Sequence, residues 1–480
     1  MDATRRTTIC FALLAPLVAL LWSYLSSLSG EHEQHIQRVP FSSDADTLIK
    51  GFAARRTPAV FSRGSLSPIT SNWTALKFWT PSMLSVLIPT IPSLYSNEQS
   101  PYFVWEDPGR PFGRSLGLRV AAGHGFLTNG SARAFFMRCC NESLRTPPYL
   151  YLSAKLHHAP YAALLDDHAT PRRWMSAPAD LPELRGQDAN IYAGEAQTTA
   201  HAHYDQGHTV FAQVHGRKRF ELWAPSAWPV LQLHPHAHPG WRQSQLPVDG
   251  VDGARPSPDW TAILEPGDAL YIPPFHFHRV TSLTFSVGLS VATDSSEGER
   301  FDEACRQGLP HALLEAATPR AERVRVAQRF LLGALLNLAG PHLSPSPDRP
   351  HHPHSYVRDA ILQPRFAPLA HALGCDDAET VAAQEALCLP PCEVAAGGAA
   401  ALDPTVVALA RRVLASLAGA PPGGASGVKQ QDESAWRLDG VGHISLQDYV
   451  EHLAAYAVGE RHVCAFLRVC LTCERPSSAE

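Results

Sequence analysis

The sequence predicts a mainly β barrel or sandwich over roughly its first three hundred residues, followed by a helical C-terminal region. Short apolar runs follow one another between residues 189 and 293, separated by turns rich in Gly and Pro, the pattern of an all-β barrel or sandwich. Within them PGDALYIPP, residues 266–274, reads as a tight turn, a buried strand and a second turn. At about residue 294 the character changes to helical periodicity, clearest in RAERVRVAQRFLLGALLNL.

The chain has 480 residues, 45% hydrophobic and 18% charged, enough for two or three domains. Residues 1–30 have the parts of a signal peptide or signal-anchor. Arg5 and Arg6 precede ICFALLAPLVALLWSYL at 9–25, and small residues follow. That segment predicts the secretory pathway, meaning the lumen of the endoplasmic reticulum or Golgi, or secretion. Membrane attachment follows only if the segment is an uncleaved anchor, since it lies at the low edge for a bilayer span. Sequons at Asn72, Asn129 and Asn141 agree with this route. Residues 31–54 read as a polar stem, 55–295 as the strand-rich domain and 296–480 as the helical region, broken by SPSPDRPHHPH and GAPPGGASG.

In the first part, TPAVFSRG is a strand and turn, residues 131–144 a short helix, and PPYLYLSAKL a strand carrying aromatics. Then come ANIYAG (189–194), HAHYDQGHTVFAQVHG (201–216), RKRFELWAP (217–225), TAILEPGDALYIPP (261–274) and RVTSLTFSVGLSVAT (279–293). Residues 227–260 lack strand periodicity and form a long inserted loop, a frequent place for function. In RLDGVGHISLQD, 437–448, Gly442, Ile444 and Asp448 fall at calcium-loop positions. Arg437 and Val441 stand where oxygen ligands are required, so a plain interhelical loop is expected.

Nine cysteines follow Cys10, six of them between 375 and 473. Structural disulfides are expected there in preference to a zinc site or a redox pair at Cys470 and Cys473, and the odd count leaves a thiol over. The net charge of −5 and the lack of a basic stripe give no support to a nucleic-acid partner.

The chemistry concentrates in His203, Asp205 and His278. In a strand, residues two apart share a face, so His203 and Asp205 point together and Tyr204 to the back. A later strand bringing His278 beside them gives two imidazoles and one carboxylate. That is the set used by non-haem Fe(II) oxygenases, which leave coordination positions open. By the same alternation His201 shares their face, as a supporting donor, a rim residue or a solvated edge histidine.

HYD at 203–205, FAQVHGRKRF at 211–220, Pro225, RQSQ at 242–245 and PGDALYIPPFHFHRV at 266–280 resemble the JmjC/cupin-like 2-oxoglutarate-dependent oxygenases. The flavour is that of the asparaginyl/lysyl protein hydroxylase branch, not of multidomain histone demethylases, and with a weaker fit from about residue 56 it covers about half the chain. The resemblance implies a mainly β double-stranded β-helix (jelly roll, cupin) with flanking helices. It implies Fe(II) held by His203, Asp205 and His278, with 2-oxoglutarate converted to succinate and carbon dioxide. Lys218 would hold the far carboxylate through a charge-assisted bond. Arg242 would sit in the loop over the metal. A protein or peptide substrate follows, and a homodimer through the C-terminal helices is permitted without being demanded.

The chain departs from the family at several places. Ala200 stands where many relatives carry a Thr that donates to 2-oxoglutarate, leaving Thr198 or Thr199 to substitute after a register shift. Thr209 and Ser290 stand at or near Asn positions of the hydroxylase branch, and His276 replaces a common Trp. No metal ligand is lost. The leading expectation is hydroxylation of an amino-acid side chain. The alternatives are a catalytically inactive binding or folding module, or a metal-dependent cupin acting on a small molecule.

Overall fold

The computed structural model describes residues 34–39, 45–62, 79–88, 90–96, 102–103, 124–139, 146–156, 186–246, 256–307, 309–343, 352–371, 373–419 and 438–473. The strands are β1 (Gln34–His35), β2 (Arg38–Val39), β3 (Ala59–Phe61), β4 (Thr90–Ser96), β5 (Tyr102–Phe103), β6 (His124–Ser131), β7 (Tyr149–Lys155) and β8 (Gly186–Gly194). They continue with β9 (Thr199–Tyr204), β10 (His208–His215), β11 (Lys218–Trp223), β12 (Trp260–Leu264), β13 (Ala269–Ile272), β14 (Phe277–Ser282) and β15 (Ser286–Thr293). One sheet runs β1-β12-β11-β14-β9-β5, the other β2-β3-β13-β10-β15-β8-β7-β4-β6.

Alternation builds the core between these sheets. Phe220, Leu264 and Val280 of the first sheet meet Val60, Phe211 and Leu270 of the second, all 8% exposed or less. Full burial of each such side chain contributes roughly 1.5–3 kcal/mol. Lys218, Phe220 and Leu222 share this inward face of β11, which carries a lysine into the interior. The hairpin from β10 to β11 turns at Gly216, whose φ is +66°; a Cβ there would lie 1.9 Å from the Phe285 carbonyl oxygen.

The outer face of the second sheet is covered by a cluster including Trp79, Leu84, Phe135 and Phe136, brought partly by the Pro81–Leu87 and Ala132–Cys139 helices. The third cluster joins the C-terminal helices, among them Pro404–Leu417, Gly440–Val458 and Val463–Leu471, to Tyr204, Trp228 and Phe275 of the barrel. This is the jelly-roll core with flanking helices and the helical C-terminal region that the sequence predicts.

Some elements differ from expectation. Residues 34–39, read as stem, pair in parallel with β12 and β3 and so extend both sheets, and Ala45–Arg55 is helical. The interhelical loop expected at 437–448 is helix from Gly440 onward, because Asp439 caps it by accepting from the Gly442 N–H at 2.7 Å. The expected structural disulfides, by contrast, are present: Cys375 bonds to Cys464 and Cys388 to Cys470, so Cys470 pairs outside its CxxC. The N-terminal apolar segment, Asn72 and Asn141 lie outside the described residues, and Asn129 falls on β6. Among the described residues no helix is long and apolar enough to cross a membrane.

Candidate metal centre

β9 and β14 run antiparallel with His203 opposite His278. The next matched pair on that side is Ala200 with Val280, so three steps on β9 answer two on β14. This bulge inverts the alternation along β9. Ala200 therefore joins His203 on the cavity face. His201, expected on the ligand face, is turned away toward the backbone of Leu246, and burial pushes its pKa down to about 4. Thr199 lies opposite Thr281, their hydroxyl oxygens 3.0 Å apart, and it is not among the residues lining the cavity.

The donor atoms of His203, Asp205 and His278 all lie within 4.8 Å of one another. The imidazole centroids are 4.1 Å apart, and His278 Nε2 is 3.9 Å from Asp205 Oδ2. Each ring is oriented by backbone. His203 Nδ1 lies 2.6 Å from the His201 carbonyl oxygen, and His278 Nδ1 lies 3.1 Å from that of His276. A carbonyl only accepts, so Nδ1 carries the proton in both rings and Nε2 keeps its lone pair. That arrangement is the one a metal ligand needs. Burial, reinforced by His278, pushes the His203 pKa down to about 3, so its ring is neutral at physiological pH.

Burial alone would raise the Asp205 pKa. His278, His203, Arg242 and a hydrogen bond from Thr209 Oγ1 at 3.0 Å outweigh it and hold the group below the ordinary carboxylate range. The donor set is thus two imidazoles, each presenting Nε2, and one carboxylate, which suits a divalent first-row metal such as Fe(II).

The triad opens on a cavity of about 470 Å³ lined by Tyr151, Tyr192, Lys218, Trp241 and Arg242, among others. Lys218 is 1% exposed, its Nζ 5.4 Å from the Tyr151 ring centre and 5.8 Å from that of Phe211. Burial pushes its pKa down to about 7. Arg242 has φ +73° and stacks its guanidinium 4.9 Å from the Trp241 ring centre. Tyr204 stacks on Phe275 and meets Phe277 edge-on, packing as the sequence suggests.

Tyr151 and Tyr192 have no assigned role in the sequence reading. The aromatic alternation of the strand at 149–155 was the available signal for the first, and β8 pairing with β7 supplies the second. A larger cleft of about 1120 Å³ lies among the C-terminal helices. It carries no such ligand set: among the described residues, the triad is the group able to hold a metal.

The family model described as a cupin-like domain matches residues 46–295, just over half of the chain. The tRNA wybutosine-synthesizing protein 5 of Danio rerio is 24% identical over 55% of this chain and 78% of its own length. Lysine-specific demethylase JMJ30 of Arabidopsis thaliana is 37% identical over 22% of this chain and 25% of its own. Jumonji C domain-containing protein 5 of Drosophila melanogaster is 30% identical over 28% of this chain and 35% of its own. The chain thus spans most of the first relative and about a quarter to a third of the other two.

These relatives overturn the secretory-pathway expectation. Proteins named for tRNA wybutosine synthesis and lysine demethylation place the resemblance with nuclear or cytoplasmic proteins, not lumenal or secreted ones. The expectation rested on an apolar run whose length leaves its role ambiguous.

Proposed function

The chain belongs to the cupin-like domain family, and from that premise we propose that it is an Fe(II)- and 2-oxoglutarate-dependent oxygenase that hydroxylates an amino-acid side chain of a protein or peptide. The observation carrying this reading is a triad with both imidazoles fixed as Nε2 ligands, opening on a cavity that also contains a buried lysine. A ferrous ion there, with 2-oxoglutarate, supplies oxygen activation coupled to conversion of the cosubstrate to succinate and carbon dioxide.

The side chains divide the remaining work. His203, Asp205 and His278 hold the metal, and Thr209 orients the Asp205 carboxylate through its hydroxyl. Lys218 binds the distal carboxylate of the cosubstrate. Its burial makes that pairing stronger than it would be in water. Tyr151 and Tyr192 wall the cavity beside Lys218 and Ala200. Trp241 and Arg242 line it from the inserted loop and meet the substrate.

The zebrafish relative's name raises a second reading, a nucleic-acid substrate, against which the net charge of −5 weighs. Both are tested by incubating the protein with Fe(II), 2-oxoglutarate and either a proteome-derived peptide pool or total tRNA. Gain of one oxygen atom on peptides, absent in His203→Ala, supports the proposal. Oxidation of tRNA alone overturns it in favour of the second reading.

A further inference from the structure

The segment 232–246 runs along the edge of the ligand strand opposite β14, beyond the short pairing with β5. His203 bridges to Gln243, the Tyr204 N–H donates to the Arg242 carbonyl at 3.2 Å, and the Ser244 N–H donates to the Ala202 carbonyl at 2.8 Å. The strand carrying the first ligand is therefore held by β14 on one side, and on the other by β5 at Thr199 and Ala200 and by this segment from Ala202 to Tyr204. The segment also folds on itself, with the His234 N–H donating to Gln243 at 2.9 Å and the Gln245 N–H to Gln232 at 2.8 Å. Arg242 is held at φ +73°, a conformation that a non-glycine residue keeps only when its surroundings dictate it.

Those surroundings come from far along the chain. Asp448 and Glu451 lie three residues apart on the Gly440–Val458 helix and so face the same way. Arg365 sits on the Val357–Phe366 helix, and all three side chains are 4% exposed or less. Arg365 Nη1 donates to Asp448 Oδ1 at 2.8 Å and to Glu451 Oε1 at 2.5 Å. The second oxygen of each carboxylate turns to the segment over the metal site. Asp448 Oδ2 accepts from Trp241 Nε1 at 3.0 Å, and Glu451 Oε2 accepts from the His236 N–H at 2.6 Å. Gln245 Nε2 completes the attachment by donating to the Arg365 carbonyl at 2.9 Å.

Burying three charges is expensive, and an apolar contact would join two helices as well. Here the charges do something an apolar contact cannot: each carboxylate fixes a directed hydrogen bond to a residue of the segment. One of those residues, Trp241, lines the cavity and carries the Arg242 guanidinium on its ring.

We propose that Asp448 and Glu451, oriented by Arg365, are positioning residues of the metal site: they fix Trp241 and the 232–246 segment against the first ligand strand, so that the C-terminal helical region completes a site whose family match ends at residue 295. The inference rests on the proposed oxygenase reading only for the identity of the small molecule bound.

The test uses the full chain with three variants: Trp241→Phe, which keeps the ring and removes the donor, Asp448→Ala, and Arg365→Lys. Hydrogen exchange of peptides covering 199–204 and 241–246 is measured well below the melting temperature, together with 2-oxoglutarate affinity on the Fe(II)-loaded protein. Trp241→Phe and Asp448→Ala are expected to speed exchange in both peptides about tenfold or more, the scale of one lost hydrogen bond to a charged group. They should also weaken 2-oxoglutarate binding, while Arg365→Lys, which keeps the positive charge, should retain part of the protection. Unchanged exchange at 199–204 with a lowered melting temperature would make the cluster a plain strut and overturn the proposal. If Asp448→Ala does not fold, Trp241→Phe decides alone. If wild type binds no 2-oxoglutarate, the oxygenase reading fails and the exchange arm still judges this one.

Discussion

His203 and His278 stand opposite each other across the β9–β14 pairing, ring centroids 4.1 Å apart, and each gives its Nδ1 proton to a carbonyl two residues upstream. The backbone that builds the two strands thus also selects the tautomer in which Nε2 is the atom able to act as a ligand beside Asp205.

His203→Ala and Asp205→Ala are each expected to lower Fe(II) affinity at least about a hundredfold, beyond the ten- to hundredfold effect of losing only a supporting partner. Calorimetry with Fe(II) under anaerobic conditions measures this. Because both side chains are partly buried at the rim of an open cavity and not packed in the apolar core, melting temperatures should change less than metal affinity.

Lys218 gives a pH signature. Its pKa is pushed down to about 7, and a bound carboxylate favours the charged form. Below pH 7 the lysine is already charged and 2-oxoglutarate affinity is flat with respect to this group. Above pH 7 binding must take up a proton, and affinity falls by up to about tenfold per pH unit. Calorimetry at pH 8 in two buffers of different ionisation heat should report uptake of a proton, and Lys218→Met should remove both the uptake and most of the affinity. Equal heats in the two buffers for wild type would place the carboxylate elsewhere.

Thr199 and Ala200 make opposite predictions. Thr199→Val loses a hydroxyl pair with Thr281 that lies away from the cavity. It should cost about 1 kcal/mol of stability and leave 2-oxoglutarate affinity unaltered. Ala200→Thr places a hydroxyl on the cavity face and should tighten 2-oxoglutarate binding by up to about fivefold. Chemical denaturation and binding titrations measure the two quantities; weakened binding in Thr199→Val would show that this hydroxyl reaches the cosubstrate.

The disulfides Cys375–Cys464 and Cys388–Cys470 close segments of 89 and 82 residues. Losing the first through Cys375→Ser with Cys464→Ser should cost about 4.6 kcal/mol by loop entropy. The melting temperature should fall, and hydrogen exchange should rise first in the Val463–Leu471 helix. No change in either would mean that the cross-link constrains nothing the helices do not already hold.

The barrel-or-sandwich class and the His203–Asp205 pair were legible because both are local: period-two strands, Gly and Pro turns, and a spacing of two; the jelly roll and the placing of His278 beside that pair came from the family resemblance. What escaped depends on register or on long range. The bulge that turns His201 away and brings Ala200 in shows only when β9 is laid against β14. The helix over 440–458 was obscured because its residues matched calcium-loop positions, although Asp439 before Gly440 is a capping signal. Asp448 then drew notice for a ligand role, whereas its partners Arg365 and Trp241 are 83 and 207 residues away, a relationship no local pattern carries.

The most direct measurement is an anaerobic titration of the purified protein with Fe(II) followed by 2-oxoglutarate, watching for the weak metal-to-ligand charge-transfer absorption in the visible. A band that appears in wild type, vanishes in Asp205→Ala and requires higher 2-oxoglutarate in Lys218→Met is the predicted result. Stoichiometric iron binding with no band at saturating 2-oxoglutarate would contradict the account and leave a metal-binding cupin of other chemistry.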